Sequence, residues 1–286
     1  MAYQSSLIID SVKFNQTVQK LREFFTSKNF IEVHTQNRLS ILAACEDPFN
    51  VAKFNYAGQD WPLPQTGQMW LEYELLSKPE AAGYFCLTTS YRIEPNPVEG
   101  RHDIIFPLFE FEMKGCVDDL INIQRELLTH LGYDLNKIDT ATYQELCDKY
   151  DLKYHEKEEL EHEHEEKMCE GRQGVFITEF PEFTFPFWNM RRKENDMSYK
   201  VDVILGGMET FGSAERECDK DVMRRAFNTI MDGAYKDKLF ELFGEERTMA
   251  ELEEYLNLTF IPRVGCGIGV TRLIKSLVKE RKFELI

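Results

Sequence analysis

The sequence predicts an α+β domain, and two observations carry that assignment. Short apolar strand segments are interleaved with long helical ones, and near the C-terminus a strand of alternating glycines (Gly265, Gly267, Gly269) runs straight into a helix. The chain has 286 residues, 43% of them hydrophobic, enough for one large core or for one core with an inserted subdomain.

The elements follow in order. From Ser11 to Phe25 the apolar positions Val12, Phe14, Val18, Leu21, Phe24 and Phe25 predict a helix, and Phe30 to Val33 a short strand. Between Ile41 and Glu74 lie a loop, Cys45 to Phe49, and a strand signal over Thr66 to Glu72. Tyr91 to Met113, YRIEPNPVEGRHDIIFPLFEFEM, reads as two strands joined by a cationic loop. Cys116 to Leu131 is an amphipathic helix, and residues 137–170 form a small helical insertion, strongly charged from Tyr154 to Lys167. Val175 to Ile177 and Val201 to Leu205 are strands. Asp221 to Leu242 reads as one helix through Met223, Phe227, Ile230, Met231 and Tyr235, and Val270 to Lys279 as the last.

Composition excludes several classes. No apolar run is long enough to span a bilayer, and the first residues lack the basic-then-apolar pattern of a signal peptide. The 7 cysteines are scattered singly, which predicts reduced thiols in a cytoplasmic protein. The net charge of −16 speaks against a face built to grip a polyanion. Local basic clusters are confined to Arg191-Arg192-Lys193 and Lys275 to Lys282.

The candidate site begins with charges that no packing rule requires. Arg92 with Glu94, and Arg101 with His102, flank the cationic loop, where guanidinium groups can meet phosphate oxygens and an aromatic ring a purine, while Phe106 taken alone reads as core. Arg272 falls in the first turn of the final helix, where it can point back over a glycine strand that a ligand must approach closely. Asp202 and Glu209 stand seven residues apart, and Arg216 follows seven further on. Glu161-His162-Glu163-His164-Glu165 reads as a solvated helical face, because residues two apart on a helix do not face each other. There is no recognisable Ser/His/Asp or Cys/His arrangement for nucleophilic catalysis.

Taken together, Tyr91 to Met113 and Pro262 to Leu273 resemble motifs 2 and 3 of the class II aminoacyl-tRNA synthetases, in the subclass that handles aspartate, asparagine and lysine. The likeness runs from about Ser11 to Leu277. It implies an antiparallel sheet flanked by helices, with ATP and Mg²⁺ as cofactors. Arg92 and Arg272 are then the catalytic arginines. Arg92, Glu94, Arg101, His102, Phe106, Glu209, Gly269 and Arg272 bind ATP, and Asp202 and Glu209 hold the metal. The amino acid, aspartate or asparagine, is bound by Glu46, Gln68, Glu72, Arg216, Gly265 and Gly267. Cys45-Glu46 and Thr66-Gly67-Gln68 are similar to asparagine-enzyme segments. Leu71 stands where aspartate enzymes carry a lysine, and Ile105 where the family places an acid.

The first helix resembles motif 1 and implies a homodimer, although Gln36 replaces the usual proline after Thr35. Motif 1 beginning near residue 11 implies a single catalytic domain over 1–286 with no anticodon-binding domain. On this reading the chain resembles stand-alone, archaeal-type asparagine synthetases. The leading expectation is therefore an AMP-forming ligase that amidates aspartate with ammonia to give asparagine. Aminoacylation of tRNA or another acceptor in the manner of an asparaginyl-tRNA synthetase ranks behind it, and a non-catalytic regulatory paralogue comes third.

Overall fold

The computed structural model describes residues 9–35, 40–42, 48–93, 101 and 103–284. Helix α1 (Ser11–Ser27) opens them. Asp10 starts it by accepting from the N–H groups of Val12 at 3.0 Å and Lys13 at 3.1 Å, two donors that a first turn leaves unpaired. Then come β1 (Ile31–Glu32), β2 (Lys53–Tyr56), β3 (Gln59–Pro62), α2 (Gln68–Ser77), β4 (Gly83–Tyr91) and β5 (Ile105–Lys114). The middle holds α3 (Val117–His130), β6 (Ile138–Thr142), α4 (Tyr143–Lys149), α5 (His162–Met168), β7 (Gly174–Pro181) and β8 (Arg192–Lys193). The rest is β9 (Met197–Leu205), β10 (Met208–Glu215), α6 (Lys220–Thr229), α7 (Ala234–Phe243), α8 (Glu245–Leu256), β11 (Arg263–Gly269) and α9 (Val270–Lys279).

Strands β2 and β3 pair only with each other. The others form one sheet in the order β1-β4-β5-β11-β10-β9-β7-β6, with β8 beside β9. From β4 to β7 every pairing is antiparallel, and β1–β4 and β6–β7 are parallel. This is the expected antiparallel sheet flanked by helices. Strand alternation sends Phe109, Phe111, Val201, Val203, Phe211, Val264, Cys266 and Ile268 into a core under α1, α3 and α9. The opposite sheet face carries the polar and glycine positions, so burial of one face leaves the other to build a site.

Several local expectations change. Thr66 to Glu72 is not a strand: α2 begins at Gln68, and Met69, Trp70, Leu71, Leu75 and Leu76 are all buried. With 7 of its 10 residues buried the helix has only a narrow polar face to announce its period, so the run over 66–72 is not told from a strand by pattern. The segment 137–170 is not wholly helical, because β6 joins the sheet parallel to β7. The helix expected over Asp221 to Leu242 is two helices. Met231, Asp232 and Gly233 adopt positive φ of 53°, 55° and 89° and break the ladder between them. In α1, Val18 and Leu21 are buried in the chain's own core. Phe14 packs against the same core, so these positions are not free for the homodimer contact that the motif 1 resemblance implies, and the exposed apolar residues nearby are Val12 and Ile31. No described helix is long and apolar enough to cross a membrane.

Candidate active site

Register across the sheet makes the floor of the site. Glu110 of β5 lies opposite Gly267 of β11, Gly267 opposite Gly212 of β10, and Gly212 opposite Asp202 of β9. At this level two adjacent strands thus present no side chain between Glu110 and Asp202. A cavity of about 330 Å³ lies on this face, lined by Gln68, Arg92, Arg101, Phe106, Glu209, Arg216, Gly267, Gly269 and Arg272 among others. Nine of the residues singled out in the sequence therefore share one cavity. Glu46, Glu94 and His102 lie outside the described residues.

Each arginine is placed by local structure. Arg92 follows the end of β4, where its N–H donates to the Ile104 carbonyl at 2.9 Å and holds the base of the loop closed. Arg272 sits in the first turn of α9 and donates through Nη1 to the Glu209 carbonyl at 2.7 Å. Arg101 reaches the Gly207 carbonyl at 3.1 Å and pairs through Nη2 with Glu165 of α5. Glu165 also accepts from the Glu209 N–H at 3.0 Å. The histidine-rich segment is thus not merely a solvated face, since its last acid joins the loop arginine to the strand that carries Glu209. Burial, followed by the charge of Glu209, raises the Glu165 carboxyl above the usual range.

Arg216 is held inside the protein. Its Nε and Nη2 donate to Glu112 at 3.2 and 3.3 Å, and Nη2 also bonds the Gln68 Oε1. The pair occupies the space over Gly265: a methyl group there would lie 1.7 Å from Glu112 Oε2 and 2.5 Å from Arg216 Nη2. Gly265 is therefore needed by the chain's own ion pair, and it does not line the cavity. Glu72 does not line it either. It accepts from Arg263 Nε at 2.8 Å, Tyr255 OH at 2.7 Å and Asn189 Nδ2 at 2.8 Å, and it is 1% exposed. Burial pushes Glu72 up, but Arg263 and Arg216 outweigh it and hold the carboxyl below the usual range. Glu112, with burial dominant over the pull of Arg216, is pushed up to about 7.

Glu110, Glu112 and Lys200 were not singled out from the sequence. Their signal was the two-residue alternation Phe106, Leu108, Glu110, Glu112 along β5 and Lys200, Asp202 along β9, which puts each set on one face. Glu110 accepts from the Gly67 N–H at 2.7 Å and Thr88 Oγ1 at 2.6 Å, anchoring the start of α2 and so Gln68.

The two proposed metal carboxylates converge. A methyl group built on Gly212 would lie 3.1 Å from Glu209 Oε1 and 3.9 Å from Asp202 Oδ1. Asp202 Oδ2 is paired with Lys200 at 2.9 Å, and buried Oδ1 has no hydrogen-bond partner among the described residues. Burial pushes the Asp202 carboxyl up to about 7 against the pull of Lys200. An unpartnered carboxylate oxygen over a glycine, beside a second acid and a cavity lined by arginines, fits Mg²⁺, which takes one or two carboxylates and fills its remaining positions with phosphate oxygens and water. Among the described residues, no group of three or more His, Cys, Asp or Glu side chains is placed to hold a metal ion.

Comparison with known proteins shows the following likenesses. The family model for tRNA synthetases class II (D, K and N) matches residues 8–285. An aspartate–tRNA(Asp/Asn) ligase of Methanopyrus kandleri is 27% identical over 239 residues, covering 74% of this chain and 53% of its own. A lysine–tRNA ligase of Saccharolobus solfataricus is 22% identical, covering 90% of this chain and 59% of its own. The chain thus spans a little over half the length of these relatives. Among solved structures, asparaginyl-tRNA synthetase from Pyrococcus horikoshii complexed with asparaginyl-adenylate superposes with a TM-score of 0.75 at 19% identity. That superposition covers 94% of this chain and 64% of the other.

Proposed function

The chain belongs to the tRNA synthetases class II (D, K and N) family, and from that premise we propose that it activates an amino acid with ATP and passes the aminoacyl group to tRNA. The observation that carries the reading is one cavity holding Arg92, Arg101 and Arg272 above a floor of glycines, with the Gln68–Arg216 pair at its side.

In this reading Phe106 stacks on adenine, and Arg92 binds the α-phosphate and the attacking carboxylate. Arg101 and Arg272 bind the outer phosphates, and Gly267 and Gly269 let the substrates lie against the sheet. Asp202 and Glu209 would hold Mg²⁺, which supplies further neutralisation of the phosphate oxygens. A carboxylate oxygen of the amino acid bonds to the α-phosphorus, the bond to the β-phosphate bridging oxygen breaks, and pyrophosphate leaves. The protein supplies position and positive charge, so no side-chain nucleophile is required. In the second step a tRNA hydroxyl attacks the acyl carbon and AMP departs.

Aminoacylation now ranks above the ammonia-dependent amidation expected from the sequence. The relatives named above are tRNA ligases, and the similar solved structure is a tRNA synthetase with an aminoacyl-adenylate. The test is ATP–pyrophosphate exchange with each standard amino acid, followed by AMP release with total tRNA or with ammonium. Exchange with aspartate, asparagine or lysine and acceleration by tRNA is the expected result. Acceleration by ammonium with aspartate, and none by tRNA, would restore the amidating reading.

A further inference from the structure

Lys200 has no part in the mechanism above, yet it lines the same cavity. It precedes Asp202 by two residues on β9, so both side chains rise from the same face of the strand. Its ammonium lies 2.9 Å from Asp202 Oδ2 and 4.2 Å from the centre of the Phe180 ring, a position fixed from two sides. Asp202 is 6% exposed at its side chain and Lys200 25%, so the carboxylate is buried and the ammonium reaches it from the cavity side.

We infer that Lys200 is a resident cation of the metal site, one that occupies Asp202 Oδ2 and limits the carboxylate pair to a single divalent ion. The inference rests on Asp202 and Glu209 being the metal ligands of the proposed function. Two carboxylates offer four oxygens. The ammonium engages one of them, leaving Asp202 to bind through Oδ1 alone, on the side where Glu209 Oε1 also faces Gly212. Bidentate binding by Asp202 would require the ammonium to leave, and a second ion near Oδ2 would meet its charge at close range. A lysine is also a point charge that can follow a phosphate oxygen, which a bound ion held by two acids cannot do as readily.

The experiment is binding of Mn²⁺ alone, without nucleotide, followed by electron paramagnetic resonance and calorimetry at alkaline pH. The proteins are the wild type, Lys200→Met, Lys200→Gln, Lys200→Arg and Asp202→Asn, each checked for folding by circular dichroism. Wild type and Lys200→Arg should bind one ion per chain with similar affinity. Lys200→Met, or Lys200→Gln should the methionine variant fail to fold, should bind Mn²⁺ about tenfold more tightly or take up a second ion, the scale of effect of one charge in hydrogen-bonding range. Unchanged affinity and stoichiometry in the neutral variants, with Asp202→Asn weakened, overturns the role of Lys200 and leaves the metal site standing. Asp202→Asn binding like the wild type removes the metal assignment itself and this inference with it.

Discussion

At the Arg216 end of the cavity the charges are fully buried and paired with one another, whereas at the other end Arg272 rests on a backbone carbonyl and the remaining pairs, Arg101 with Glu165 and Lys200 with Asp202, are partly exposed. Arg216, Glu112, Glu72 and Arg263 are each under 4% exposed, and they satisfy one another with the help of Tyr255 and Asn189. Arg272 leans on the carbonyl of Glu209, Arg101 on that of Gly207 and on the Glu165 carboxylate, and Asp202, paired with Lys200 through Oδ2, keeps Oδ1 without a partner among the described residues. A carbonyl contact can be given up for a phosphate at little cost. A buried ion pair cannot, because separating it strands a charge away from water. The closed end is thus shaped before any ligand arrives, and at the open end Arg272 is the cation held ready for exchange.

The strongest way to break this comparison is at the closed end. Arg263→Met leaves Glu72 buried beside only part of its partners and should cost about 3–5 kcal/mol of stability, as loss of one member of a buried pair does. Urea unfolding measures it, and a loss below about 1 kcal/mol would mean that the network does not hold the fold. At the open end the effect should fall on chemistry instead. Arg272→Ala should lower pyrophosphate exchange by about 10²–10³, the scale for one transition-state charge contact, while the unfolding midpoint stays near that of the wild type. Normal exchange in the folded variant would sink the role given to Arg272.

A third test uses pH. The Glu112 carboxyl sits at about 7 in the folded chain against an ordinary value of 4.5. Between those values the folded state keeps a proton that the unfolded state has released. Glu112 therefore makes stability fall as pH rises from about 4.5 to about 7, with no further change above. Melting temperatures across that range should show a shallower decline in Glu112→Gln than in the wild type, and equal slopes would contradict the assignment. The smallest effect concerns the surface of α1. Val12 is 66% exposed, so Val12→Ser should change monomer stability by no more than about 0.5 kcal/mol. Light scattering on both proteins then reads whether that face joins two copies: a dimeric wild type and a monomeric variant would place Val12 in an interface.

The chain's linear pattern determined the parts of the site that local spacing encodes. The two arginines around the cationic loop, the glycine strand with Arg272 one turn beyond it, and the Asp202–Glu209–Arg216 spacing each sit within one short segment, so their geometry follows from a strand, a turn or a single helical turn. The final helix, Val270–Lys279, was legible for the same reason. Tertiary structure decided what depends on neighbours far along the chain. Glu72 belongs to Arg263 and Tyr255, and Glu165 to Arg101. Gly265 makes room for a pair contributed by β5 and the residue after β10. Whether a buried acid faces a ligand or an arginine is set by which strands lie side by side, and strand order arises from packing of whole elements, which no local period records.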